Sequence, residues 1–148
     1  MRARFVKESV NFERKKDPLS SLGVGKIHLI KSWLDEMGVE NYTINDDLTI
    51  DVKGDVFLDR INLKEFPSYI KFNRITDNFY CHHNQLTSLV GCPSQVAGGF
   101  YCYYNRLTSL DGCPNQVGVS FYCSDNKVKF AKEDVLKLCK VDEDKIIV

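Results

Sequence analysis

Apolar positions return along this chain on a beat of 21 residues. Residues 79–93 read FYCHHNQLTSLVGCP, residues 100–114 read FYCYYNRLTSLDGCP, and residues 121–130, FYCSDNKVKF, open a third copy. The tails match as well, SQVAGG at 94–99 against NQVGVS at 115–120. A weaker copy precedes them, in which Val56, Leu58, Leu63 and Phe66-Pro67 correspond to Phe79, Cys81, Leu86 and Leu89 at an offset of 23. Ile61 stands there in place of the shared Asn. A fixed period of this length means stacked supersecondary units. Phe79 and Cys81 are two apart, so both point inward from one strand. Stacking then predicts three buried columns: Phe79, Phe100 and Phe121; Cys81, Cys102 and Cys123; Leu86, Leu107 and Val128. Asn84, Asn105 and Asn126 fall where the chain leaves the strand, and a carboxamide there can bond otherwise unpaired backbone groups. Gly-Cys-Pro turns at 91–93 and 112–114 set the return path. With so few residues between strands, the return side is expected to be extended or 3₁₀, not a full helix.

A stack of repeats needs closed ends. Ile27, Ile30, Leu34 and Met37 recur at spacings of three and four and Gly38 follows, which predicts a helix over 26–37. Trp33 on that helix is read as core, with an exposed anchor as the other reading. Tyr42 to Ile44 and 48–52 flank Asn45-Asp46-Asp47, a hairpin signal, and the hairpin is expected to cover the first repeat strand near 56–58. Beyond Phe130, residues 131–140 are expected to form a capping helix. Its apolar face is Val135, Leu138 and Cys139, with Glu133 and Asp134 in its first turn and Lys137 and Lys140 near its end. Ala131 is a poor N-cap. Residues 145–148 read as a terminal strand. The organisation is therefore a basic arm at 1–25, a helix and hairpin cap at 26–55, repeats at 56–130 starting near 56, 79, 100 and 121, and a C-terminal cap at 131–148.

The frame F-x-C-x-x-N-x-L-x-x-L resembles that of leucine-rich repeats. More narrowly, LTSL-x-GCP followed by QV and FYC resembles short repeat proteins encoded by tailed bacteriophages and some bacteria, over roughly residues 41–148. The resemblance implies a mixed α/β fold, mostly strand and coil: a short leucine-rich repeat solenoid capped by an N-terminal helix and β-hairpin and a C-terminal helix. It implies a scaffold rather than a chemistry. The stretch ESVNFERKKDP is similar to the N-terminus of proteins from large tailed phages, where a leader ending in a hydrophobic-x-Glu pattern directs packaging and is cleaved. Phe5-Val6-Lys7-Glu8 loosely fits it.

Charge divides the same segments. The 20 basic and 20 acidic residues cancel, which argues against a dedicated nucleic-acid binder. Residues 1–26 carry seven basic and three acidic groups, 27–78 six and ten, and 122–148 six of each. The 43 residues from 79 to 121 carry only Arg106 and Asp111. That middle segment is either shielded between charged ends or an uncharged binding face. The arm offers Arg2, Arg4, Phe5, Phe12, Arg14, Lys15 and Lys16 for docking, with an inert tail or a cleaved leader as the other readings.

Candidate chemistry changes this little. No apolar run reaches the roughly 18 residues a spanning helix needs, and the first residues lack a signal peptide's apolar core. Six Cys would suit a secreted disulfide scaffold. However, Cys81, Cys102 and Cys123 are inward repeat positions, and Cys92 and Cys113 are matching turn positions, so reduced thiols are expected. The expected compartment is the cytoplasm, that of the host if phage-encoded, or the virion. Cys81-His82-His83 makes a poor metal site, because neighbours on a strand face opposite ways. His28, His82 and His83 are the only histidines, and Ser88 and Ser109 are repeat positions. Gly23-Val24-Gly25 lacks the third Gly of a dinucleotide loop. No enzyme, cofactor or metal is expected.

The outward strand positions remain. They are Phe57, Tyr80, Tyr101 and Tyr122 in one column and Asp59, His82, Tyr103 and Ser124 in the next. Tyr is rigid with a polar tip and favoured at interfaces. The columns are either a protein-binding surface or a ladder that stabilises the sheet, and the two are compatible. The sequence thus points to a non-catalytic protein-binding module, with a virion or assembly component docked through the arm as the alternative.

Overall fold

The computed structural model describes residues 18–148. Two sheets, parallel throughout except for one antiparallel pair at the N-terminal end of the first, face each other across one core. Each turn of the chain gives one short strand to each sheet, so a strand's neighbour is the same strand one repeat later. The first sheet runs β1 (Tyr42–Ile44), β2 (Ile50–Val52), β4 (Phe72–Ile75), β6 (Gln95–Val96) and β8 (Gln116–Val117). The second runs β10 (Ile146–Ile147), β9 (Phe121–Tyr122), β7 (Phe100–Tyr101), β5 (Phe79–Tyr80) and β3 (Val56–Phe57). The fold is a β-solenoid, mostly strand and coil, with a helix at each end.

The register follows the repeat. Phe79 pairs with Phe100 and Phe100 with Phe121, while Val56 pairs with Phe79, confirming the weak first copy. The phenylalanine and Cys81–Cys102–Cys123 columns are buried as expected. Phe79 and Phe100 stack with centroids 5.9 Å apart, and Phe72 from the first sheet meets Phe79 edge-on at 5.2 Å. The return side is extended, as expected, and in addition forms its own ladder: Ile75 pairs with Val96 and Val96 with Val117. Gly91 and Gly112 turn the chain with φ of 103° and 93°. At Gly112 a Cβ would lie 2.6 Å from the backbone of Leu89 and Val90, so that turn needs glycine for space as well as for φ.

The ends differ from expectation in four ways. The N-terminal helix α1 (Pro18–Glu36) starts eight residues before the predicted 26–37, so residues 18–25 of the expected arm are its first turns. Pro18 suits a first helical position, and Gly23 and Gly25 sit in open space, where each only lowers helix propensity by about 1 kcal/mol. The helix ends in a Schellman motif: Gly38 at φ 75° donates to Asp35 O and Val39 to Leu34 O. Ile30, Trp33 and Leu34 are buried, which makes Trp33 a core residue.

The hairpin forms, but it extends the first sheet by pairing β2 with β4, and does not cover the first repeat strand. The capping helix α2 is one short turn, Lys132–Leu136, in place of 131–140. Ala131 is its N-cap and has no side-chain acceptor, so only half a capping box exists, with Ala131 N–H donating to Asp134 Oδ2 at 2.8 Å. Val135 and Cys139 are buried but Leu138 is 45% exposed. Val128, expected in the leucine column, is exposed, and Phe130 is buried instead. Both sheets are then closed by the C-terminal segment. Lys140 bridges to Gln116, and β10 pairs with β9.

Candidate functional site

The outer face of the second sheet gathers the residues singled out from the sequence. Phe57, Tyr80, Tyr101 and Tyr122 form one continuous column. Phe57 and Tyr80 stack at 5.0 Å and 3°, and Tyr80 and Tyr101 at 4.9 Å and 9°. Tyr101 and Tyr122 are tilted by 57° at 6.4 Å. In the second column His82 stacks on Tyr103 at 4.5 Å and 3°. Tyr103 crosses to stack on Tyr122 at 4.2 Å, which joins the columns. Asp59 and Ser124 close that column at its two ends. Asp59 accepts from Arg60 at 3.1 Å, and the Ser124 hydroxyl donates to Asp125 at 2.9 Å.

This stacking decides what the face can present. Rings at strand spacing, about 4.8 Å, turn their π-faces toward one another, so the tyrosines show edges and hydroxyls to solvent. The end of the column differs: Phe57 is 63% exposed. Burial, with Tyr101, Asp55 and Asp59 adding to it, pushes the Tyr80 hydroxyl above the ordinary tyrosine range. Burial and then Tyr122 do the same for Tyr103. Both stay neutral donors at physiological pH.

A third column belongs to the face and was missed from the sequence. Arg60, His83, Tyr104 and Asp125 follow the second column directly, so alternation would turn them inward. Each instead has φ between 53° and 56°. The left-handed backbone swings these side chains back outward. Their N–H groups still bond along the ladder: Arg60 to His82 O, His83 to Tyr103 O and Tyr104 to Ser124 O. The signal available was the shared Asn immediately after each of the last three, marking the point where the strand breaks.

That Asn is the hinge of each turn. Asn105, 8% exposed, accepts from Leu86 N–H at 3.0 Å and donates to the carbonyls of Cys81 and Cys102. Asn84 and Asn126 repeat the arrangement one turn away on either side. Each carboxamide ties its own turn to the one before it.

The candidate chemistry is placed as follows. All six cysteines are free, and burial drives the thiols of Cys113 and Cys123 up to about 12 and that of Cys139 to about 11. Cys92 and Cys102 are shifted upward for the same reason. Cys81 points inward and His82 outward, on opposite faces of the strand. Ser88 and Ser109 accept from Val90 N–H and Asp111 N–H within their own turns. Among the described residues no group of three or more His, Cys, Asp or Glu could hold a metal ion, and no helix is long and apolar enough to cross a membrane. Arg2, Arg4, Phe5, Phe12, Arg14, Lys15, Lys16 and the Glu8 cleavage pattern lie outside the described residues. No family model, curated protein or solved structure matches this chain, so the reading of the face rests on its own geometry.

Proposed function

We propose that the chain is a non-catalytic protein-binding module that uses the aromatic face of its second sheet, in the manner of a leucine-rich repeat. The observation that carries this is the form of the face: three columns built mostly of rigid rings, offering edges and hydroxyls, with the charged Asp59, Arg60 and Asp125 confined to the column ends. Ring edges and phenol hydroxyls suit the mixed apolar and hydrogen-bonding surface of a protein. They suit nucleic acid poorly. Bases need open π-faces, which the stacked tyrosines spend on each other, and phosphates need cations, of which the three columns hold only Arg60. The likeness of the repeat to those of tailed phages makes a phage accessory protein acting on a host or phage protein the favoured setting.

The test is a Tyr101→Ala, Tyr103→Ala double variant in affinity capture from the native host. It should lose the partner that the parent chain retains. The change also removes stacking worth about 0.5–1.5 kcal/mol per pair, so a thermal melt must show it folded. Retained capture by a folded double variant overturns the reading. The alternative is a virion or assembly component docked through the N-terminal arm. It predicts that the chain is found by mass spectrometry in purified particles, cleaved after Glu8, and that deleting residues 1–17 abolishes incorporation.

A further inference from the structure

His82 and His83 are adjacent in sequence, yet their rings meet. His82 leaves the strand outward and is 7% exposed. His83 is turned back by its left-handed φ of 56°. The two Nδ1 atoms come to 2.8 Å, with ring centroids 5.0 Å apart and planes at 77°. Such a contact needs one ring to donate N–H and the other to accept it. Two neutral rings satisfy that. One charged and one neutral ring satisfy it better, because the bond is then charge-assisted. Two charged rings cannot, because N–H would face N–H.

The surroundings are as specific. From the preceding turn Asp59 Oδ2 lies 3.9 Å from His82 Nε2, and the same carboxylate oxygen accepts from Arg60. Tyr80 on the same strand meets His82 edge-on at 6.1 Å. From the following turn Tyr103 covers the His82 ring face, and Tyr104 packs on His83 at 4.7 Å. Asp59 and Arg60 are the charged groups facing the pair, and the three tyrosines are neutral. Burial first, with His83 and Arg60 adding to it and Asp59 opposing, holds His82 below the ordinary histidine range.

We propose that His82 and His83 form a proton-sharing latch on the aromatic face: the pair pins the third column to the second while it holds at most one extra proton, and acquisition of the second releases the half-buried His83 ring. His82 stays clamped between Tyr80 and Tyr103, so the change is confined to His83 and the neighbouring Tyr104. If the face is the binding surface proposed above, its affinity for partner changes with this step. The latch itself requires no partner and is tested on the isolated chain.

The experiment is imidazole ¹⁵N NMR of the full chain across neutral to acidic pH, assigned with His82→Asn and His83→Asn. At neutral pH a nitrogen–nitrogen coupling should cross the hydrogen bond between the two Nδ1 atoms. On acidification the pair should titrate in two steps at least about one pH unit apart, and the coupling should vanish with the second. In His83→Asn, His82 should titrate in a single step. Absence of the coupling at neutral pH, or independent single-step titration of both rings unchanged by removal of either, overturns the latch. If the latch holds while the Tyr101, Tyr103 variant still captures partner, only the binding reading fails.

Discussion

Asn105 shows how much one side chain can hold in a fold whose strands are two residues long. Its carboxamide closes one N–H and two carbonyls that belong to neighbouring turns and are out of reach of water. Asn105→Ala should lower unfolding stability by about 1–3 kcal/mol, read as a fall in the urea midpoint at unchanged slope. Asn105→Asp should be worse, since a carboxylate would face the carbonyls of Cys81 and Cys102 with no proton to give. His82 supplies the pH dependence. Its folded-state affinity for a proton is depressed, so the unfolded chain binds more protons as pH falls below the ordinary histidine value of 6.5. Stability should therefore be fully present at neutral pH and decline through that acidic window. His82→Gln should flatten this part of the curve in pH-dependent urea melts. The thiols make a third test. Shielded by burial, they should react with a maleimide far more slowly in the native chain than in denaturant, with the half-buried Cys113 first.

At the scale of elements, the repeat strands and their order were legible because identical residues recur at one spacing. The Phe and Cys columns could be placed from that pattern; the hairpin and the terminal strand were visible from their own apolar runs and turn residues, but not the strands that the hairpin joins. The helix ends could not be placed. The first eight residues of α1 carry two glycines, and its anchoring Ile30, Trp33 and Leu34 lie further on, so only the anchored part shows a period. α2 stops at Leu136 because the chain must turn back to deliver Lys140 to Gln116. Its weak point is the cap: Ala131 has extended φ and ψ of −104° and 160° but no acceptor. Ala131→Ser should stabilise the chain by about 0.5–2 kcal/mol, raising the melting temperature. No change would mean that the turn is held by Asp134 and packing alone.

For the whole molecule, the closure of both sheets by one C-terminal segment is the main structural consequence. Removing residues 131–148 would expose the edges of β8 and β9 together, along with the ends of the Phe121 and Val117 columns. Such edges pair with other copies. The truncated chain should elute in size-exclusion chromatography as larger species than the full-length chain does at the same concentration.

The aromatic face was legible in part: eight of its residues follow from alternation alone. The third column was not, because alternation assigns Arg60, His83, Tyr104 and Asp125 to the inside, and only the left-handed backbone reverses them. By itself the sequence determined the period, the inward and outward positions of each strand, and the buried thiols, since these depend on local spacing and apolarity. The tertiary structure decided which strands the hairpin joins, where the helices end and which side chains meet. Those depend on what the neighbouring turn offers a backbone group or a ring, and no spacing within one repeat contains that information. The 2.8 Å meeting of His82 and His83 is the sharpest case: adjacent residues that a strand would separate, brought together by a single reversed dihedral.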